Sequence, residues 1–411
     1  MKELAKKLLL VSIFLSSTQV ITVSRVGLSV FQIALIITFV VCVLGLIEVR
    51  YISKGRYIGF SIIAALSSYI AYEVSIYPAW AKSYFLLGIL TAAFCFFIPV
   101  YFERDDLGKI VKAIIRSQYI TIVFSLYSFY KFYFGGGIPN HISLFGGLYI
   151  ELEEDFFIRG QASGQIRLAL PYSTPPVLSV VMAVCIVILL FDQEMFSKIQ
   201  KWTLLLVFIA ILVLTGSRTG MIGLILFLTF EGGRYFHRNK SIPKWSFGVI
   251  FVGIIAFVIF IVKSGNSVYI QKYIHRFTKL FGEVALSEDR HFLVPLDGII
   301  IWLSSIKNFV VGIGFGSSAK MVGAHTYLPP YFLNSFVTWV AERGMMGLYL
   351  VFTLLQLVFA CKKQEKNLSV AEKSLTSALC VALITCMFYE VLVCYTVIII
   401  IAACFIIIKE K

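Results

Sequence analysis

Residues 202–232 read WTLLLVFIAILVL-TGSRTG-MIGLILFLTFEG, two apolar runs that meet at a short turn holding one arginine, Arg218. A helix needs about 17 to 25 mostly apolar residues to cross a bilayer, and repeated runs of this kind mark a chain that crosses more than once. Such runs fill the 411 residues, which are 59% hydrophobic and 14% charged. The mean hydropathy is +0.90. A soluble protein carries roughly 25% charged residues. The fold class expected is an all-α polytopic membrane protein, a single integral membrane domain over residues 1–411, and a soluble globular enzyme is excluded.

Outward from that pair, spans are expected at about 8–24, 28–48, 57–73, 82–102, 117–134, 172–191, 246–263 and 334–360. The last apolar stretch, about 374–408, is too long for one helix and reads as two short spans bent near Glu390. Together these make about twelve spans. The lysine-rich start imitates a signal peptide, but no small-residue cleavage site precedes Arg25, so the first run is read as a retained span.

Alternate links sort by charge. The N-terminus, 50–56, 103–116, 192–201, 234–244, 361–373 and the C-terminal Lys409 and Lys411 are basic in nearly every member. Short basic links mark the cytoplasmic side, so both termini are expected inside. This bias accounts for the net charge of +14, and no nucleic-acid partner is expected. The same parity puts 135–170, Ser217-Arg218 and 264–333 on the outward face. Residues 292–315 are apolar enough to imitate a further span, yet Pro295, Asp297 and Lys307 interrupt them, and an interfacial or partly re-entrant element is expected. The eight cysteines fall in spans or at their inner ends, without CxxC or Cys/His spacing. Neither a disulfide framework, a metal site nor a cofactor is indicated.

The outward loops carry charge that topology does not require. Arg159, Arg167, Arg218, Arg276 and Arg290 all lie on that side. Arg218 is the sharpest case, because its turn has hardly any loop to lift the guanidinium clear of the bilayer. A charge at that depth is costly and marks a functional site by default; the competing reading is an arginine snorkelling to lipid phosphate. In the large loop, Ile270, Ile274, Phe277 and Phe281 recur at helical spacing with Lys272, His275, Arg276 and Lys279 opposite, a basic amphipathic helix suited to a membrane surface. Guanidinium forks hold phosphate oxygens bidentately, so these arginines suit a lipid-linked diphosphate and its release as a leaving group. His325 is a candidate general base, against a surface role. Gly312-Ile313-Gly314-Phe315-Gly316 lacks the spacing and βαβ setting of a nucleotide loop and is read as a tight bend.

Several of these segments resemble the O-antigen polymerase and ligase superfamily (Wzy and WaaL type) of bacterial envelope glycosyltransferases. They are Leu214–Gly220, Arg290 with Gly312-Ile313-Gly314, Asn334-Ser335-Phe336 followed by Ala341–Gly347, and Arg167 ahead of the Pro171–Pro176 region. The resemblance covers about 160–350. It implies a GT-C-like, inverting, metal-independent transferase of the bacterial inner membrane that uses undecaprenyl-diphosphate glycans as donor and acceptor. Arg218, Arg290 and His325 are then the catalytic candidates, and Arg159, Arg167, Arg276 and Asn334 the diphosphate-binding ones. Membrane lipid and a chain-length regulator are the implied partners. Ligases of this kind carry a His before the Asn where the loop returns to the membrane; here Leu333 precedes Asn334. That favours a polymerase over a ligase acting on a lipid A-core acceptor. A lipid-linked oligosaccharide flippase is the alternative outside enzymes; it would show two similar halves and charges near the midplane, and neither stands out in the sequence.

Overall fold

A computed structural model describes residues 1–18, 21–23, 28–49, 55–134, 141–144, 147–151, 167–172, 174–192, 195–238, 290–317, 334–364, 367–392 and 394–409. The chain is mostly helical. In its first part run α1 (Lys2–Leu15), α2 (Val30–Gly45), α3 (Arg56–Glu73), α4 (Pro78–Tyr101) and α5 (Leu107–Phe134). Then come α6 (Pro175–Phe191), α7 (Lys198–Leu214) and α8 (Arg218–Arg238). After residues 239–289 follow α9 (Arg290–Leu303), α10 (Ile306–Val310), α11 (Ser335–Lys363), α12 (Val370–Cys386) and α13 (Tyr395–Ile408).

Burial follows from composition. A helix apolar on all sides belongs inside. In α6 every residue from Pro175 to Leu189 is buried, and in α13 every residue from Tyr395 to Ile407. These two helices are the centre of the bundle. α6 packs on α7, α8 and α12, while α13 packs on α4, α11 and α12. α2 is equally apolar but peripheral. It is held at its start by a capping box between Ser29 and Gln32 and buries Phe31, Leu35, Thr38 and Cys42. Its other face exposes Ile37, Val40 and Val43, each more than half accessible. A soluble protein does not present such a stripe to water. Val30–Glu48, Ala81–Tyr101, Arg104–Phe132 and Ser335–Lys363 are, among the described residues, the helices long and apolar enough to cross a membrane. The architecture is that of a largely helical membrane protein.

Charge concentrates at one end. Lys6 Nζ and Lys109 Nζ lie 2.9 and 2.7 Å from the two carboxylate oxygens of Asp106. The N-terminal amine meets Glu48 at 3.1 Å and Lys362 meets Glu231 at 2.9 Å. Arg104 donates to the carbonyl of Ile407 and faces Glu372 at 3.6 Å, while Lys409 Nζ donates to Pro99 O at 2.8 Å. These are the links whose basic character stands out in the sequence.

The opposite end departs from expectation in two ways. The stretch expected as a span over 8–24 is helical only to Leu15, then turns as a 3₁₀ segment, Ser16–Thr18, into a strand. That strand, β1 (Ile21–Val23), joins β2 (Leu28–Ser29), β3 (His141–Ser143) and β4 (Leu148–Glu151) in an antiparallel sheet of order β2-β1-β4-β3. Ile21 pairs with Ile150 and Ile142 with Ile150 on its other side. The cause is local: Thr18, Ile21, Thr22 and Val23 are β-branched, and branching at Cβ favours an extended chain. Ile21, Ile142 and Ile150 bury together with Leu170. The expectation of a purely α chain is corrected to that extent. The second departure is α5, which starts at Leu107, ten residues or so before the span expected at 117. Leu107, Ile110, Val111, Ile114 and Ile115 make a buried stripe at helical spacing beneath the lysines of that link. The expected span at 246–263 and the amphipathic helix around 270–281 lie outside the described residues.

The exposed face of α2 supplies a direct check. An arginine at a helix centre costs roughly 2.5–3.5 kcal/mol of insertion. Val40→Arg is expected to lower the membrane-integrated fraction of α2 in a glycosylation-mapped insertion assay; an unchanged fraction would place that face against protein.

Candidate functional site

The site begins at a break in a helix. α11 is interrupted at Gly344, whose φ of 59° and ψ of −139° fall where only glycine is at ease. The carbonyls around the break lose their helical partners. They are met by the bend at 312–316: Ile313 N donates to Ala341 O at 2.9 Å and Gly314 N to Glu342 O at 3.1 Å. Gly316 N donates to the Glu342 carboxylate at 2.9 Å. The far side of the bend is tied to the end of α3, with Phe315 N donating to Ala71 O at 2.9 Å and Ser75 Oγ to Phe315 O at 2.6 Å. Backbone meets backbone here. A Cβ on Gly312, itself at φ 89°, would stand 2.4 Å from Glu342 O, and one on Gly344 would stand 2.4 Å from Val310 O. The expected tight bend is found, and its glycines serve close approach to α11.

α9 and α10 carry the bend to this place. α9 has 14 residues, about 21 Å of helix, and is too short to cross a bilayer core of roughly 30 Å. It packs against α11, in keeping with an interfacial or re-entrant element.

The break leaves Glu342 and Arg343 buried, 3% and 6% exposed. The Arg343 guanidinium is sandwiched, 4.7 Å from the Trp339 ring centre and 5.1 Å from that of Phe315. Such stacking is worth about 0.5–2 kcal/mol. Nη1 reaches Ser67 Oγ at 3.5 Å, a weak bond, and Nε has no acceptor among the described residues. Facing it is Glu390, 2% exposed, in the turn between α12 and α13. Neither of its carboxylate oxygens receives a hydrogen bond from the described residues. The neighbouring hydroxyls are engaged elsewhere: Thr338 Oγ1 donates to Asn334 O and Ser335 Oγ to Tyr389 O, both at 2.9 Å. Burial pushes the Glu390 carboxyl up to about 7, opposed by the nearby Thr338 and Ser335 hydroxyls, Arg343 and the Leu392 amide, none of which meets it in hydrogen-bonding geometry. Arg343, Glu342 and Glu390 line one cavity with Tyr84, Thr338 and Phe315, and about 20 Å³ of it admits the centre of a water molecule. That is room for a single water or hydroxyl group.

A second group of residues gathers nearby. Leu168 N donates to Leu214 O at 3.1 Å, which fastens the turn carrying Arg167 to the turn carrying Arg218. Ser179 Oγ of α6 bonds Ser217 Oγ at 3.2 Å and accepts from Gly220 N at 3.1 Å. Arg218 is the first residue of α8, and both arginines are half-buried. A helix start is itself electropositive, so Arg218 there, with the turn of Arg167 bonded to its own turn, favours an anion. Gly223 of α8 lies against Thr385 of α12, one turn before the 387–394 segment. Asn334 Nδ2 donates to Met387 O at 3.0 Å and joins the start of α11 to the same segment.

Of the residues singled out in the sequence, Arg167 and Arg218 are therefore brought together. Arg290 opens α9, with its side chain outside the described residues, as are Arg159, Arg276 and His325 entirely. Asn334 serves the helix itself, since its Oδ1 accepts from Phe336 N and Val337 N at 3.0 and 3.1 Å and so caps α11. Arg343 and Glu390 are site residues that the sequence reading misses. A signal for them exists, since Glu390 is the one charged residue between 374 and 408, and an ionisable group in an apolar stretch is functional by default. Charges near the midplane do not stand out in the sequence, whereas Glu342, Arg343 and Glu390 form a buried charged cluster in the structure. No protein-family model and no curated protein matches the chain.

The glycine contacts set a stability test. Gly312→Ala and Gly344→Ala are each expected to destabilise the protein by at least about 2 kcal/mol, through left-handed backbone strain and backbone overlap. Thermal unfolding of the detergent-solubilised protein reads this; an unchanged midpoint would mean that the bend does not splint the break.

Proposed function

We propose that the protein is a polysaccharide polymerase of the bacterial inner membrane, with about twelve spans in a GT-C-like arrangement. It joins undecaprenyl-diphosphate-linked oligosaccharide repeats at the outer face by inverting, metal-independent glycosyl transfer. The observation that carries the reading is the bonded pair of turns that carry Arg167 and Arg218, the latter at the start of α8. These turns lie at the end away from the basic links, and basic links mark the cytoplasmic side. There the two guanidinium groups take the donor diphosphate and neutralise it as it departs, while a hydroxyl of the acceptor repeat attacks the anomeric carbon. The same resemblance leaves a ligase as the related alternative.

One observation favours a second reading. Broken helices with buried charge are a device of secondary transporters, and α11 is broken beside Arg343 and Glu342. A lipid-linked oligosaccharide flippase would use the cavity during alternating access.

Arg218→Ala is expected to reduce polymer formation by about 10²-fold or more, the typical effect of removing a donor to a developing anion. Arg167→Ala is expected to act in the same direction with less effect. Membrane insertion is expected to be retained, and gels of envelope polysaccharide give the readout. Single repeats attached to the lipid anchor support the polymerase. Persistent lipid-linked polymer without attached glycan indicates a ligase, repeats trapped on the inner leaflet indicate a flippase, and an unchanged length distribution removes the reading.

A further inference from the structure

Resting on the polymerase reading, we infer that Glu390 is the base of the transfer: its carboxylate takes the proton of the acceptor hydroxyl within the cavity that it shares with Arg343. The two buried acids of that cavity differ in a telling way. Glu342 is engaged by Gly316 N at 2.9 Å and belongs to the splint of the broken helix. Glu390 is 2% exposed, yet neither oxygen has a donor among the described residues. A buried acid with a purely structural role is bonded or ion-paired, because desolvation without a partner is costly. Glu390 lines the cavity with Arg343, Thr338 and Tyr84, and both of its oxygens are shielded from solvent. That space takes one water-sized group, and a sugar hydroxyl is one.

The step balances. The acceptor oxygen forms its bond to the anomeric carbon of the donor sugar as its proton passes to a Glu390 carboxylate oxygen. The bond from that carbon to the diphosphate oxygen breaks, and the diphosphate leaves with the electron pair. Arg343 is a positioning residue: stacked between Trp339 and Phe315, it holds positive charge beside the carboxylate and favours its ionised form. Among the described residues, the titratable and charged groups around Glu390 are Arg343 and Glu342 on α11, Tyr84 on α4 and Cys386 on α12.

The test uses the full chain in proteoliposomes, with lipid-linked repeats taken from a strain that lacks the protein. Glu390→Gln is expected to lower turnover by about 10²-fold or more with KM for the repeat little changed, and Glu390→Asp to recover at least about a tenth of the rate. In the unaltered protein, turnover is expected to rise with pH through about 7 and then level, as the carboxyl ionises. Glu390→Gln with near-normal turnover overturns the proposal. So does a rate of the unaltered protein that is flat between roughly pH 5 and 9, a readout that needs no variant to fold. Arg218→Ala in the same assay separates the two ideas. If it is inactive while Glu390→Gln is active, this inference alone fails; if Arg218→Ala is fully active, the polymerase reading fails with it.

Discussion

A helix broken within a bilayer must find partners for the backbone groups that it frees, because lipid supplies none. In this protein the break at Gly344 is met by the bend at 312–316, whose amides bond the carbonyls of Ala341 and Glu342. Much else is arranged around that constraint. The bend needs α9 and α10 to deliver it and the end of α3 to anchor it. Glycine is required at 312 and 344 because a side chain at either would occupy the partner's backbone. The break in turn fixes Arg343 between two aromatic rings, facing Glu390 across a space for one small polar group.

The two ends of the bundle use charge differently. At the end with the basic links, cations and anions meet one another directly: Lys6 and Lys109 on Asp106, Lys362 on Glu231. Lys6 and Lys362 thereby tie elements distant in the chain, and Lys109 pairs locally. The other end holds two further groups of charged residues. Arg167 and Arg218 sit on turns bonded through backbone and serine, and Arg343 and Glu390 face a cavity without bonding one another. Separation of a buried pair such as Arg343 and Glu390 is costly in a low-dielectric interior and is repeatedly found where a substrate completes the set. The polymerase reading assigns the first pair to the donor diphosphate and the second to the acceptor hydroxyl.

What the sequence discloses is governed by which signals hydropathy carries. The long apolar runs of α2, α4 and α11 are legible because composition alone sets them. So are the tight bend at Gly312–Gly316 and the turn that presents Arg218, since glycine and a lone charge are local signals. Hydropathy does not distinguish an apolar strand from an apolar helix, and so Ile21–Val23 reads as part of a span. The first turns of α5 are hidden by Lys109, Lys112 and Arg116, although the apolar stripe beneath them has helical spacing. The cavity is illegible for another reason. Arg343 and Glu390 stand 47 residues apart (390 − 343), and only the break in α11 and the turn after α12 set them face to face. Asn334, whose motif context points to substrate, caps α11 through Oδ1 and bonds Met387 O through Nδ2, partners that hydropathy does not disclose.

Arg343 and Glu390 form one buried, interacting unit set by the broken helix, and on that unit the rest of the account turns. A double-mutant cycle on thermal unfolding of the solubilised protein measures it directly, with Arg343→Met, Glu390→Gln and the double variant. Removing one member of a buried pair leaves the other uncompensated, and coupled neighbours depart from additivity by about 0.5–3 kcal/mol. The expected result is that the double variant is less destabilised than the sum of the singles by at least about 1 kcal/mol. Additive effects, to within roughly 0.3 kcal/mol, would contradict the account.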